Sequence, residues 1–250
     1  MKLFSLKLEQ QIFLRSFSWQ ASWNFGRMQN MGVAYAIYPL LAQLYGNDQK
    51  QLTARVKRYL DFFNTNPVMA AAVLGILVHQ ERKGEGDYGL AVARSLNSLY
   101  GAIGDAFFWN GLKPLVAVLA VAVYFAGGGF WAPVVLLGSY NVVHLGIRYL
   151  IYREGIRQGL GIINMIHYWH LPEIKQGAGY LTIIILAWGF SLINVNMVPE
   201  LCHPRGYFFF TAAGVCGLSL LRQRQMSPGK IFLLSLAAVI AVMACHHFWL

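Results

Sequence analysis

The chain has 250 residues, of which 57% are hydrophobic and only 12% are charged. Soluble domains carry about 25% charged residues, so this composition and a positive mean hydropathy argue against a soluble protein and indicate an integral membrane protein. The formal net charge is +10. Its basic residues lie between apolar runs, which is typical of membrane topology and of contact with anionic lipid, not of nucleic-acid binding.

Residues 1–105 are predicted to form a partly amphipathic helical region on the cytoplasmic side of the membrane. Apolar residues spaced four apart from Leu52 to Leu60, with basic residues between them, predict an interfacial helix. We expect the sequence 62–67 to end it, because the residue before a proline avoids helical backbone. A short, half-inserted helix then follows within 62–80, so this stretch is predicted as a broken helix of the kind found at transporter binding sites.

Residues 106–250 are predicted to form a transmembrane helical bundle. A helix needs about 20 apolar residues to cross a bilayer core of about 30 Å. The charge-free run 114–147 is too long for one crossing, and glycines at 127–129 together with Pro133 divide it. The five predicted spans are 107–126, 130–147, 177–198, 206–221 and 231–249. The expected fold class is therefore an all-α integral membrane protein with about five transmembrane helices.

The basic residues are divided unequally between the two sides of these spans. With the amino terminus inside, the predicted outer loops keep only Arg205. This asymmetry predicts a multi-pass protein with its amino terminus in the cytoplasm and its carboxyl terminus outside. No signal peptide is expected near the amino terminus. The three cysteines are widely spaced and indicate neither a disulfide framework nor a cysteine metal site.

An isolated carboxylate, Asp105, precedes the long apolar run, where it is unfavourable unless something pairs with it. In one reading Asp105 is only an N-cap for the helix at Phe107. In the other it also contacts sugar or a partner chain, and the two readings are compatible. The polar residues Asn64, Thr65 and Asn66 also have two readings. They form either a capping turn alone or a site that binds a neutral polyol. The predicted substrate-binding or partner-facing residues are Asn64, Thr65, Asn66, Asp105 and Trp109.

Two histidines, His167 and His170, are spaced as if their imidazoles lay one helical turn apart. This spacing leaves open a membrane-embedded metal enzyme, although Trp169 stands between them and no carboxylate does. No nucleophile, zinc-protease or nucleotide-binding motif is present. We therefore predict no catalytic residue, no metal and no cofactor.

Several motifs follow one another along nearly the whole chain. They are residues 13–16, 20–29, 59–67, 104–109 with Lys113 and Pro114, 141–149, Gly155 with Gly159, and 220–222. Together they resemble the IID subunits of the mannose/fructose/sorbose phosphotransferase system (PTS) permeases. The sequence departs from that pattern at Gly26, Ala106 and His144, where an acidic residue, Pro or Ser, and Arg are common.

The resemblance implies a non-catalytic sugar-transport subunit of the bacterial cytoplasmic (inner) membrane, working with a IIC partner in a higher oligomer of heterodimers. A hexose-type sugar would be translocated and phosphorylated at the expense of phosphoenolpyruvate through cytosolic IIA and IIB proteins. The phosphorylated histidines would then belong to those soluble proteins. A degenerate regulatory relative without transport, and the membrane-embedded metal enzyme, stand as alternatives.

Overall fold

The computed structural model describes residues 6–197, with side chains as far as residue 186, and its regular secondary structure there is helical. The chain divides into two compact units, 1–179 and 180–250, and only residues 180–197 of the second are described. In chain order the elements are α1 (Leu6–Ser16), α2 (Asn30–Tyr45), α3 (Gln49–Arg58), α4 (Ala70–Arg82), α5 (Gly86–Gly104), the π-helix π1 (Asp105–Leu112), α6 (Lys113–Val123), the π-helix π2 (Tyr124–Gly128), α7 (Trp131–Gln158), α8 (Gly161–His167) and α9 (Leu171–Met197).

Helix α4 forms the centre of the first unit, and each of its residues from 70 to 78 is buried. Its small residues let α7 approach closely. A Cβ atom added at Gly75 would lie 2.6 Å from the carbonyl oxygen of Tyr152, and one added at Gly155 would lie 2.9 Å from the carbonyl oxygen of Ala72. The two helices therefore pack backbone against backbone, as small residues permit in membrane proteins.

A buried carboxylate ties the amino-terminal helices to α4. Glu81 accepts hydrogen bonds from the hydroxyls of Tyr45, at 2.8 Å, and Tyr59, at 2.7 Å. Burial, and then the charge of Glu81, raises the pKa of the Tyr59 hydroxyl, so this group stays protonated and donates. Helix α3, which lies where an interfacial helix is predicted, is capped by the Asp48 side chain, which accepts from the amides of Lys50 and Gln51.

The segment Gly86–Gly128, 43 residues made of α5, π1, α6 and π2, is helical without a break as far as Gly127, whose backbone (φ 87°, ψ 8°) is not helical. The prediction that a helix begins near Phe107 is therefore wrong. Gly104 has helical backbone angles (φ −65°, ψ −45°). A Cβ atom there would collide with the Asn66 side chain and lie 2.8 Å from Cγ of Met69. The glycine thus serves close packing and does not break the helix.

Two of the described helices, Gly86–Gly128 and α7, are long and apolar enough to cross a membrane. They are joined at Gly127 (φ 87°) and Gly129 (φ 40°), so the predicted division of the apolar run at these glycines is confirmed. Helix α7 continues to Gln158, beyond the predicted end at 147. The predicted span 177–198 coincides for most of its length with α9, whereas 206–221 and 231–249 lie outside the described residues.

Candidate functional site

Three segments that are distant in the sequence meet at the non-helical stretch before α4. The first contact is made by Gln29, whose side-chain amide pairs with the backbone of Thr65. Gln29 Oε1 accepts from the Thr65 amide at 3.1 Å, and Gln29 Nε2 donates to the Thr65 carbonyl at 2.9 Å. The indole N–H of Trp19 also donates to Gln29 Oε1, at 3.0 Å. Gln29 is buried, so it satisfies backbone groups that water does not reach.

The second contact is made by Asn66, which is buried and uses both ends of its side-chain amide. Its Oδ1 accepts from the Val68 amide at 3.0 Å, which closes the turn leading into α4. Its Nδ2 donates to Oδ1 of Asp105 at 2.9 Å. Asn66 therefore forms a capping turn and also links that turn to the long helix.

Asp105 is not an N-cap, which corrects one reading of the sequence. Its backbone is helical (φ −64°, ψ −41°), it lies inside the continuous helix, and its carboxylate bonds Asn66. It begins π1, a wide-turn segment of a kind that is frequent at functional sites. Pro114 favours that widening, because it has no amide N–H for the carbonyl of residue 110. The carboxylate is exposed and keeps acceptor positions beyond its bond to Asn66.

The remaining predicted site residues lie around this pair. Thr65 is buried, and its Oγ1 has no hydrogen-bond partner within the described part of the chain. Trp109 lies one turn after Asp105, is 53% exposed, and has Nζ of Lys113 5.7 Å from its ring centroid. Asn64 is exposed and takes no part in the bonds of Gln29 and Asn66. The structure thus joins Asn66 to Asp105 directly, while Asn64 and Thr65 precede Asn66 in the chain and Trp109 follows Asp105 by one helical turn.

A cavity of about 250 Å³ adjoins this stretch. It is lined by Phe17, Trp19, Gln20, Pro67, Val68, Trp109, Lys113, Tyr140, His144 and Arg148. Arg148 is only 4% exposed. Its Nη2 donates to the carbonyl and the hydroxyl of Ser16, at 2.6 and 3.2 Å, and its guanidinium lies 4.4 Å from the ring centroid of Phe17. Gln29, His144 and Arg148 are not among the residues that the sequence predicts for the site.

The structure does not place His167 and His170 as the hypothesis of a metal site requires. His167 is the last residue of α8, and His170 lies in the following turn with a left-handed backbone (φ 48°). The two residues are therefore not on successive turns of one helix, as the spacing suggested. Both are exposed. Within residues 6–197 the structure shows no group of three or more histidine, cysteine or acidic side chains that could hold a metal ion.

Comparison with known proteins gives one consistent family. A family model described as the PTS system mannose/fructose/sorbose family IID component matches residues 5–200. The mannose-specific EIID component of Escherichia coli (strain K12) is 30% identical over 189 residues, which cover 73% of this chain and 65% of that protein. The fructose permease IID component of Bacillus subtilis (strain 168) is 28% identical over 196 residues, covering 75% of this chain and 70% of that protein.

A solved structure supports the same fold. The cryo-EM structure of the mannose transporter ManYZ in complex with microcin E492 contains a chain that is similar with a TM-score of 0.58 and 23% identity. The match covers 98% of this chain and 98% of that chain. At this identity the likeness shows the fold alone.

Proposed function

The chain belongs to the IID components of the PTS mannose/fructose/sorbose family, and on that premise we propose that it is the IID membrane subunit of a phosphoenolpyruvate-dependent sugar permease. It acts with a IIC partner to translocate a hexose-type sugar, which cytosolic IIA and IIB proteins phosphorylate, and it catalyses no reaction on its own. It is a multi-pass protein of the bacterial inner membrane, with its amino terminus inside and its carboxyl terminus outside. It assembles as a higher oligomer of heterodimers and contacts anionic lipid.

The hydrogen bond between Asn66 and Asp105 is the observation that carries this proposal. It joins two of the sequence motifs and holds a carboxylate on the outside of a helix long enough to span a membrane. The bond to Asn66 leaves acceptor positions free on the Asp105 carboxylate, and these positions suit a further polar neighbour. The sugar path or the partner chain supplies that neighbour.

The surroundings of Asp105 suit a neutral sugar. A carboxylate accepts hydrogen bonds from two hydroxyl groups at once, which a hexose offers on adjacent carbons. Trp109, half exposed one turn further along the helix, presents an aromatic surface for the apolar face of a sugar ring. Asn64 adds an exposed amide from the neighbouring stretch. We therefore propose these three residues as sugar-facing or partner-facing, with Thr65 and Asn66 holding them in place.

The test measures sugar uptake by cells that lack their own mannose-family permease and that express this chain together with its partner subunits. Asp105→Asn keeps an oxygen that accepts from Asn66 and removes the charge. We expect normal assembly and a loss of uptake of about tenfold to a hundredfold, because hydrogen bonds to a charged group contribute about 1.5–3 kcal/mol.

Glu85→Gln is the matched control, since Glu85 is an exposed carboxylate outside this site. It should transport as the wild type does. Uptake of labelled mannose, fructose and sorbose is measured alongside the amount of each variant in the membrane. Near-normal uptake by a well-assembled Asp105→Asn protein would remove the carboxylate from the sugar path.

A further inference from the structure

The cavity beside α7 is rich in nitrogen donors and poor in negative charge. Its lining residues include the cations Lys113 and Arg148 together with His144, and no Asp or Glu is among them. The nearest acidic residue in sequence, Asp105, is bonded to Asn66. A volume of about 250 Å³ accommodates a small oxyanion, given that one water takes about 30 Å³ of liquid.

Arg148 carries an uncompensated charge at the inner wall of this cavity. A guanidinium is always charged and has five N–H donors. Within the described part of the chain, its Nη2 bonds Ser16, while its Nε is buried without a hydrogen-bond partner. Contact with the ring of Phe17 is weak compared with the cost of removing a charged guanidinium from water. The contact with Ser16, at the end of α1, therefore uses one nitrogen of Arg148, and no negatively charged group among the described residues pairs with the guanidinium.

A second unsatisfied nitrogen lies on the same face of α7. His144 precedes Arg148 by four residues, so the two side chains are neighbours along the helix. Its Nδ1 is also buried without a partner among the described residues, and its ring stacks on Tyr140 at 5.4 Å between centroids. Both residues line the cavity. Nδ1 of His144 and Nε of Arg148 are buried without a partner among the described residues, and buried polar atoms normally have one, so this wall of the cavity lacks a hydrogen-bonding group.

The position of the cavity along the two long helices indicates which kind of hydrogen-bonding group would occupy it. The turn 127–129 joins the two long helices at one side of the membrane. At about 1.5 Å per residue, Lys113 lies about 21 Å before Gly127 and Arg148 lies about 26 Å after Trp131. Both cations are thus near one boundary of a hydrocarbon core about 30 Å thick. Lipid headgroups lie at this depth, and basic pockets between transmembrane helices on the cytoplasmic side bind anionic headgroups.

We propose that this cavity binds a phosphate group, with Arg148 and His144 on its inner wall and Lys113 at its exposed mouth. Arginine is the side chain best suited to a phosphate, since its planar donors bond two oxygens at once. The phosphate comes either from the headgroup of a membrane phospholipid or from soluble phosphate. This site stands on the cavity alone and does not depend on the sugar-transport role.

The test uses the full-length chain purified in a neutral detergent, with its partner subunit if it requires one. Native mass spectrometry counts bound phosphatidylglycerol or phosphatidylcholine, and thermal unfolding is followed in inorganic phosphate and in chloride at equal ionic strength. Lipid retained by the wild type and lost by the variants identifies a headgroup. A phosphate-dependent rise in Tm that the variants lose identifies soluble phosphate.

Three variants and one control make the result decisive. We expect Arg148→Gln to weaken binding about tenfold or more, and the exposed Lys113→Gln about two- to fivefold. His144→Phe removes the donors and keeps a stacked ring. Arg153→Gln removes an exposed charge from the same helix, outside the cavity, and should bind as the wild type does.

The proposal is overturned if the wild type binds neither lipid nor phosphate. It is equally overturned if the cavity variants bind as Arg153→Gln does. Arg148→Gln also loses the contact with Ser16, and this change alone can impair folding. In that event Lys113→Gln and His144→Phe decide the matter, and unchanged binding in both overturns the site.

Discussion

Replacement of Gln29 by alanine tests whether this residue organises the stretch around Thr65. The substitution removes three hydrogen bonds, and it leaves the Thr65 amide, the Thr65 carbonyl and the Trp19 indole N–H without their partner. A buried polar group left unsatisfied costs about 1–3 kcal/mol. Allowing for partial relaxation, we expect a loss of about 3 kcal/mol or more in the free energy of unfolding. For a chain of this size that corresponds to a Tm lower by about 6–12 °C.

The measurement is thermal unfolding in detergent, followed by the fraction of protein that remains monodisperse on size exclusion. Gln51→Ala is the matched control, because Gln51 is exposed on α3 and surface substitutions usually change stability by less than about 0.5 kcal/mol. If Gln29→Ala melts within about 2 °C of this control, the hydrogen bonds to Thr65 do not hold the stretch in place, and the argument built on them is wrong.

Three further predictions concern packing, topology and assembly. Gly75→Ala should lower Tm, because its Cβ atom would lie 2.6 Å from a backbone oxygen of α7. Gly138→Ala is the control, since nothing lies within 4 Å of its Cβ position, and it should leave Tm unchanged or raise it. Equal effects of the two substitutions would contradict the close crossing of α4 and α7. In a cysteine-free background, a membrane-impermeant maleimide added outside should label Phe130→Cys and spare Arg157→Cys, and the reverse pattern would invert the proposed topology. The chain expressed without its IIC partner should accumulate poorly, and equal yield of monodisperse protein would count against an obligate complex.

The long helices could be predicted from sequence only in part. The turn between the two membrane-length helices can be located from the sequence, because three consecutive glycines lie in the middle of a charge-free run that is too long for one crossing. Gly104 has two possible meanings, since a glycine marks either a helix end or a place of close packing. The contact that decides between them comes from Asn66, which is distant in sequence. For that reason the sequence does not predict a helix that begins at Gly86 and continues through Gly104.

The candidate site was also only partly predictable. The sequence predicts Asn66 and Asp105 as members of one substrate-binding or partner-facing set, and the two side chains are hydrogen-bonded at 2.9 Å. Their role toward sugar stays a prediction. The sequence does not indicate the role of Gln29, because an amide side chain in a non-helical segment belongs to no periodic pattern that would point to a partner 36 residues away. In the sequence, Arg148 falls within the motif 141–149, at the end of a predicted span, where a basic residue needs no partner inside the protein. Its burial depends on how α1 and α7 pack, which the order of residues does not give.

The two proposed sites share the segment 66–68, and this gives a prediction that links them. Asn66 bonds Asp105 through Nδ2 and the Val68 amide through Oδ1, while Pro67 and Val68 line the cavity of Arg148. Asn66→Ala should therefore reduce both sugar uptake and phosphate binding, each by about fivefold for a lost bond of about 1 kcal/mol. Asp105→Asn keeps the turn and should reduce uptake alone. If Asn66→Ala changes only one of the two measurements, the two sites are independent and the segment 66–68 does not couple them.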